Sequence, residues 1–136
     1  MVNATLDNAP AATQCRRVMI VDDEPIVVKV LGLYLRHAGF SDLVTTTESK
    51  TTVEMIRAFR PDLVLLDINM PVVSGWDILA EILADPLLGG LRVIVISGDS
   101  AETTRTRALA LGAKAILWKP IKDTALVAAV QAVCGG

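Results

Sequence analysis

Four β-formers in a row, Leu63-Val64-Leu65-Leu66, run into an acid and then a stop: Asp67-Ile68-Asn69-Met70-Pro71. An apolar run without alternation reads as a strand covered on both faces, as in the middle of a parallel sheet. Pro71 ends the pairing. Open α/β sheets bind their ligands beyond the carboxyl ends of the strands, so Asp67 falls where chemistry is done. An acid that only caps a turn would give the same local pattern. The decision rests on what else the chain brings to that edge.

Arg17 to Val21 is a short apolar strand that also ends in acids, Asp22, Asp23 and Glu24, with Pro25 at a favoured first helical position. Ile26 to His37 then reads as a helix stopped by Gly39. Asp42 to Thr47 is a Thr-rich, more exposed strand, and Ser49 to Phe59 has helical period before Pro61. After the central strand, Ser74 and Asp77 have capping-box spacing at the start of a helix, Trp76 to Ala84. A loop, Asp85 to Gly90, leads to a fourth strand, Leu91 to Ile96, that ends in Ser97-Gly98-Asp99-Ser100. A helix from Glu102 to Leu111, a strand from Ala115 to Trp118 ending in Lys119-Pro120, and a helix from Asp123 to Cys134 complete the chain. Five strand–helix alternations imply one parallel sheet with helices on both faces and right-handed crossovers. All strand ends then share an edge, which collects Asp22, Asp23, Asp67, Ser97 and Lys119.

At 136 residues this is one domain. Residues 1–15 read as a loose arm, 16–134 as the domain and 135–136 as a tail. A net charge of −2 gives no basic excess for nucleic acid, and no apolar stretch approaches the ~20 residues of a membrane span. The start lacks the charge and apolar core of a signal peptide. Cys15 and Cys134 show neither metal spacing nor a disulfide framework, so two reduced thiols in a cytoplasmic protein are expected.

Three carboxylates at one point repel one another, which raises the pKa of at least one of them. A hard divalent cation relieves this, and Mg²⁺ suits a site with few protein ligands and several waters. A cation in turn draws phosphate, for which Lys119 supplies a positive charge and Ser97 a hydroxyl. Asp67 is then placed as a carboxylate nucleophile that becomes an aspartyl phosphate.

The chain resembles the receiver domain of two-component response regulators. The matches are Asp22-Asp23-Glu24-Pro25 after the first strand and Asp67-Ile-Asn-Met-Pro71 with Gly75 after the third. Ser97-Gly98 follows the fourth and Lys119-Pro120 the fifth. The resemblance implies a flavodoxin-like, doubly wound five-stranded sheet of order 2-1-3-4-5 with five helices. It implies a signalling module and not a conventional enzyme, one that catalyses its own phosphorylation and dephosphorylation. Asp67 would be the phospho-acceptor. Asp22, Asp23, Asp67 and the Asn69 backbone carbonyl would bind Mg²⁺, Ser97 would report the phosphoryl group and Lys119 would hold one of its oxygens. The donor would be a histidine kinase or a histidine phosphotransfer protein. A second copy or an output partner would meet the face formed by the fourth helix, fifth strand and fifth helix.

The usual aromatic residue three positions before the strand-five lysine is Ile116 here, and the usual Phe after Lys-Pro is Ile121. These departures spare the acceptor site but remove the usual output relay. A haloacid dehalogenase-type phosphatase would want a second Asp where Asn69 stands. A nucleotide-binding Rossmann module would want a Gly-rich turn where the chain has three acids. Trp76 could fill the core or stand on the rim of the acidic site, Trp118 reads as packing, and Asp99 and Asn69 flank the path of attacking water. The sole histidine, His37, near a helix C-terminus, reads as structural. The first helix has more apolar residues than one buried stripe needs, which marks Val28, Gly32 and Leu33 as a donor-docking patch. The last helix, apolar nearly all round, offers a contact face.

Overall fold

The computed structural model describes residues 15–135. In chain order these form β1 (Arg17–Val21), α1 (Pro25–His37), β2 (Asp42–Thr46), α2 (Thr52–Phe59) and β3 (Leu63–Asp67). Then come α3 (Gly75–Ala84), β4 (Arg92–Ser97), α4 (Glu102–Leu111), β5 (Ala115–Trp118) and α5 (Asp123–Cys134). Single 3₁₀ turns at Ser49–Thr51 and Pro86–Leu88 precede α2 and follow α3. The sheet is wholly parallel in the order β2-β1-β3-β4-β5, as the resemblance implied.

Every residue of β3 is buried, because its side chains alternate between two cores. Val64 and Leu66 join Ile56 of α2, Ile78 and Leu79 of α3 and Ala108 of α4 on one face. Leu63 and Leu65 join Leu31 and Leu35 of α1 and Leu126 and Val130 of α5 on the other. Each fully buried Leu or Ile contributes about 2 kcal/mol relative to exposure, so the two-sided strand anchors the fold.

Two expectations are corrected. Cys15 and Cys134 are not free thiols: their Sγ atoms are bonded, with Cα atoms 5.3 Å apart across 119 residues of sequence. The end of α5 comes to rest beside the start of β1, a meeting that spacing alone does not reveal. Cys15 is accordingly 1% exposed and belongs to the core, not to an arm; the rest of the expected arm, residues 1–14, lies outside the described residues. On α1, Val28 and Gly32 are largely buried, and with Leu33 they line a shallow groove of about 300 Å³ that reaches Thr45 of β2, so the expected patch is a recess and not a projecting surface. The exposed apolar residues of this helix are Ile26, 66% exposed, and Leu33, 50%. A helix apolar on several sides does not declare which stripe is buried.

Candidate functional site

Register sets the site. Val21 pairs with Leu66, so Asp22 follows at the level of Asp67. Asp67 pairs with Ile96, and Ser97 with Trp118, which puts Ser97 one step and Lys119 two steps further along the same edge. Pairing continues past the strands: Ile68 N donates to Ile96 O at 3.0 Å and Lys119 N to Ser97 O at 2.8 Å. The sheet therefore delivers the acids, the hydroxyl and the lysine to one place.

Carboxylate oxygens of Asp22, Asp23 and Asp67 all lie within 4.8 Å of one another. Lys119 Nζ stands 3.0 Å from Asp22 Oδ2, 3.3 Å from Glu24 Oε1 and 3.5 Å from Asp67 Oδ2. Asp22 and Asp67 are fully buried. Their Oδ2 atoms feel the ammonium charge but accept no well-aligned hydrogen bond, so two desolvated carboxylate oxygens keep open lone pairs. Oxygen-only ligands, a surplus of negative charge and those open lone pairs fit a hard divalent cation.

The electrostatics follow from that crowding. Burial, and then the charge of Asp22, push the Asp67 carboxyl up to about 6, against the pull of Lys119 and the Asn69 backbone N–H. Burial also raises Asp22, although Glu24 N donates to its Oδ1 at 2.9 Å and Lys119 lies beside it. Burial alone would lower Lys119, but Asp22, Asp67 and Glu24 outweigh it and hold the ammonium above its ordinary value.

Around these groups, Asn69 N donates to Asp67 Oδ1 at 3.2 Å. Ser97 Oγ is buried, within donating distance of Asn69 Oδ1 (3.4 Å) and Asp99 O (3.2 Å), and accepts from Asp99 N at 2.9 Å. The Asp99 carboxylate is occupied at the start of α4, by Ala101 N and Thr104 Oγ1. Trp76 is half-buried against the core, and Arg107 of α4 stacks 4.0 Å above its ring. Trp118 packs in the same core, Ile116 is buried, and His37 is exposed in the last turn of α1.

Two contributors escaped the sequence reading. Glu24 was visible as the third acid after β1, but not as a partner of Lys119. Ser49 gave no signal. Its Oγ donates to Pro71 O at 3.1 Å and accepts from Val73 N at 3.3 Å. It thereby pins a turn in which the β-branched Val72 takes φ +71° and Val73 N donates to Pro71 O. Such a conformation costs roughly 1–3 kcal/mol and persists only where neighbours hold it. Gly75 is needed where that loop ends: its N–H donates to Ile68 O at 2.9 Å, and a Cβ there would drive into the Asp67–Ile68 backbone.

A second feature adjoins the acids. A cleft of about 480 Å³ between α1 and the segment after β5 is lined by Ile26, Val27, Val30, Tyr34, Pro120 and Ile121, with Lys119 at its edge.

Residues 18–131 match the family described as Response regulator receiver domain. The DNA-binding response regulator MtrA of Mycolicibacterium smegmatis is 32% identical over 120 residues, 88% of this chain and 51% of that protein. The probable transcriptional regulatory protein TcrX of Mycobacterium tuberculosis is 28% identical over 116 residues, 85% of this chain and 48% of its own length. The chain thus spans about half the length of these curated relatives. Among solved structures, the chemotaxis protein CheY4 of Vibrio cholerae superimposes with a TM-score of 0.79 at 21% identity, covering 86% of this chain and 97% of that one. The signal receiver domain of a DNA-binding response regulator from Colwellia psychrerythraea gives 0.80 at 22%, covering 85% and 95%. Likeness at that identity speaks for the fold. Among the described residues no helix is long and apolar enough to cross a membrane.

Proposed function

The chain belongs to the response regulator receiver domain family, and we propose that within it Asp67 is the residue that accepts the phosphoryl group. The observation that carries this is the buried Asp67 carboxylate, its pKa raised to about 6, 3.5 Å from the Lys119 ammonium and ringed by Asp22 and Asp23. Asp22, Asp23, Asp67 and the Asn69 backbone carbonyl would hold Mg²⁺. Bound there, the ion would offset the repulsion among the carboxylates and neutralise charge on the phosphoryl oxygens.

In the transfer, an Asp67 oxygen attacks the phosphorus of a phosphohistidine. The O–P bond forms as the P–N bond breaks, and the imidazole nitrogen keeps the electron pair. Lys119, now shared among three carboxylates, pairs with a phosphoryl oxygen of the product. The Ser97 hydroxyl, now beside Asn69 and Asp99, turns to donate to another. Attack by water on the phosphorus later returns the free carboxylate, so the domain catalyses its own phosphorylation and its own reset. The donor, a histidine kinase or a histidine phosphotransfer protein, docks in the cleft between α1 and Ile121, which leads to Lys119. Output runs through the face of α4, β5 and α5, where Ala125, Ala128 and Ala132 are exposed, to a partner or a second copy.

Incubation with acetyl phosphate, followed by intact mass, tests the site. One added phosphate is expected with Mg²⁺, and none after chelation or in Asp67→Asn. An equal gain in that variant would overturn the assignment.

A further inference from the structure

The Cys15–Cys134 bond lies at the edge of the sheet opposite the carboxylates. Cys15 lies before β1, whose five residues span roughly 17 Å between it and the acids. Cys134 is the last residue of α5. Three observations bear on the bond's chemistry. Cys134 ends a helix whose preceding residues Gln131 and Ala132 are exposed, as is Gly135 after it. Helix ends fray, so one turn can open Cys134 to a reagent while the sheet stays closed. Arg92 Nη1 lies 4.0 Å from Cys15 Sγ, and a guanidinium beside a sulfur favours the thiolate. A cleft of about 440 Å³ lined by Cys15, Arg16, Gly39, Phe40 and Gln131 opens beside the bond.

We propose that Cys15–Cys134 is a site of reversible thiol–disulfide exchange with a dithiol reductant, and that its state sets how firmly the last turn of α5 is held to the sheet. A thiolate of the dithiol attacks Cys134 Sγ. The Sγ–Sγ bond breaks, and its electron pair leaves on Cys15 as a thiolate beside Arg92. The second thiol of the reductant, as thiolate, attacks its own sulfur in the mixed disulfide and releases Cys134 as a thiolate. Both cysteines then take up a proton. In net, the protein disulfide gains two electrons and two protons, and the dithiol becomes a disulfide. Oxidation runs the same steps backwards. The state of this bond is independent of the role given to Asp67.

The test treats the folded protein with dithiothreitol without denaturant, caps thiols with iodoacetamide and reads intact mass. Two adducts are expected after reduction and none before it or after reoxidation. Amide exchange over residues 131–135 should quicken at least about tenfold on reduction while β3 is unaffected. Cys134→Ser should exchange fast in both conditions. Arg92→Gln should slow native-state reduction about threefold, since the departing Cys15 thiolate loses its partner; a purely packing role would quicken it. Two adducts before any reductant, no adducts without denaturant, faster reduction in Arg92→Gln, or an unchanged α5 would each overturn the proposal.

Discussion

Lys119 Nζ is 3.0 Å from Asp22 Oδ2 and closer to it than to Asp67, 3.5 Å away. The ammonium is therefore engaged mainly by a neighbour of the acceptor, and one positive charge faces several negative ones. The consequences are measurable.

Stability without metal should rise as the pH falls from 7 towards 4. The folded Asp67 carboxyl titrates at about 6 and the unfolded one near 3.8, so between those values the native state binds more protons. A raised carboxyl pKa costs stability above the folded value, and the cost fades as the group is protonated. Roughly two pKa steps correspond to about 3 kcal/mol at most. Asp22 adds in the same direction, while Lys119 stays charged throughout. Thermal melts in chelator from pH 4 to 7.5 should show this slope, and Asp67→Asn should flatten it and melt higher at pH 7. A variant that melts lower at pH 7 would contradict the account.

Gly75→Ala should destabilise by roughly 3 kcal/mol, because the new Cβ meets the Asp67 carbonyl and comes within 2.5 Å of Ile68 Cα, both backbone. Urea unfolding measures it. A loss below about 0.5 kcal/mol would mean that the loop relaxes freely.

On α1, two substitutions to Glu should behave differently. Ile26 lines the cleft and is exposed, so Ile26→Glu should slow transfer from a phosphohistidine donor and spare transfer from acetyl phosphate. Val28 is buried against the sheet, so Val28→Glu should cost about 3 kcal/mol of stability. Equal losses from both donors in Ile26→Glu, with unchanged melting, would remove the cleft as a docking surface.

Reduction of Cys15–Cys134 should lower the melting temperature. Opening a loop of 119 residues releases chain entropy worth up to about 5 kcal/mol in the unfolded state, or roughly 15 °C for a domain of this size. Calorimetry with and without dithiothreitol checks it, with Cys15→Ser as the control that shows no shift.

These outcomes divide by how far each feature could be read from the chain. The four strand ends that carry the site were legible because strands carry a short apolar period and each site residue is the last of a strand or lies within two residues of its end. Register then does the rest: Asp22 and Asp67 meet because Val21 pairs with Leu66. The disulfide was not legible, since it depends on where α5 comes to rest against β1. Nor was the burial of Val28, because Val27, Val28, Val30 and Leu31 offer two overlapping stripes. Ser49 holds the Pro71–Val73 turn from 22 residues away, through a hydroxyl that no local pattern marks.

The most direct measurement locates the phosphoryl group itself. After phosphorylation by acetyl phosphate with Mg²⁺, borohydride reduces an aspartyl phosphate to homoserine, and peptide mass spectrometry reads its position. The account predicts homoserine at residue 67 and nowhere else. Homoserine at residue 22 or 23, or a phosphoprotein that yields none, would contradict it.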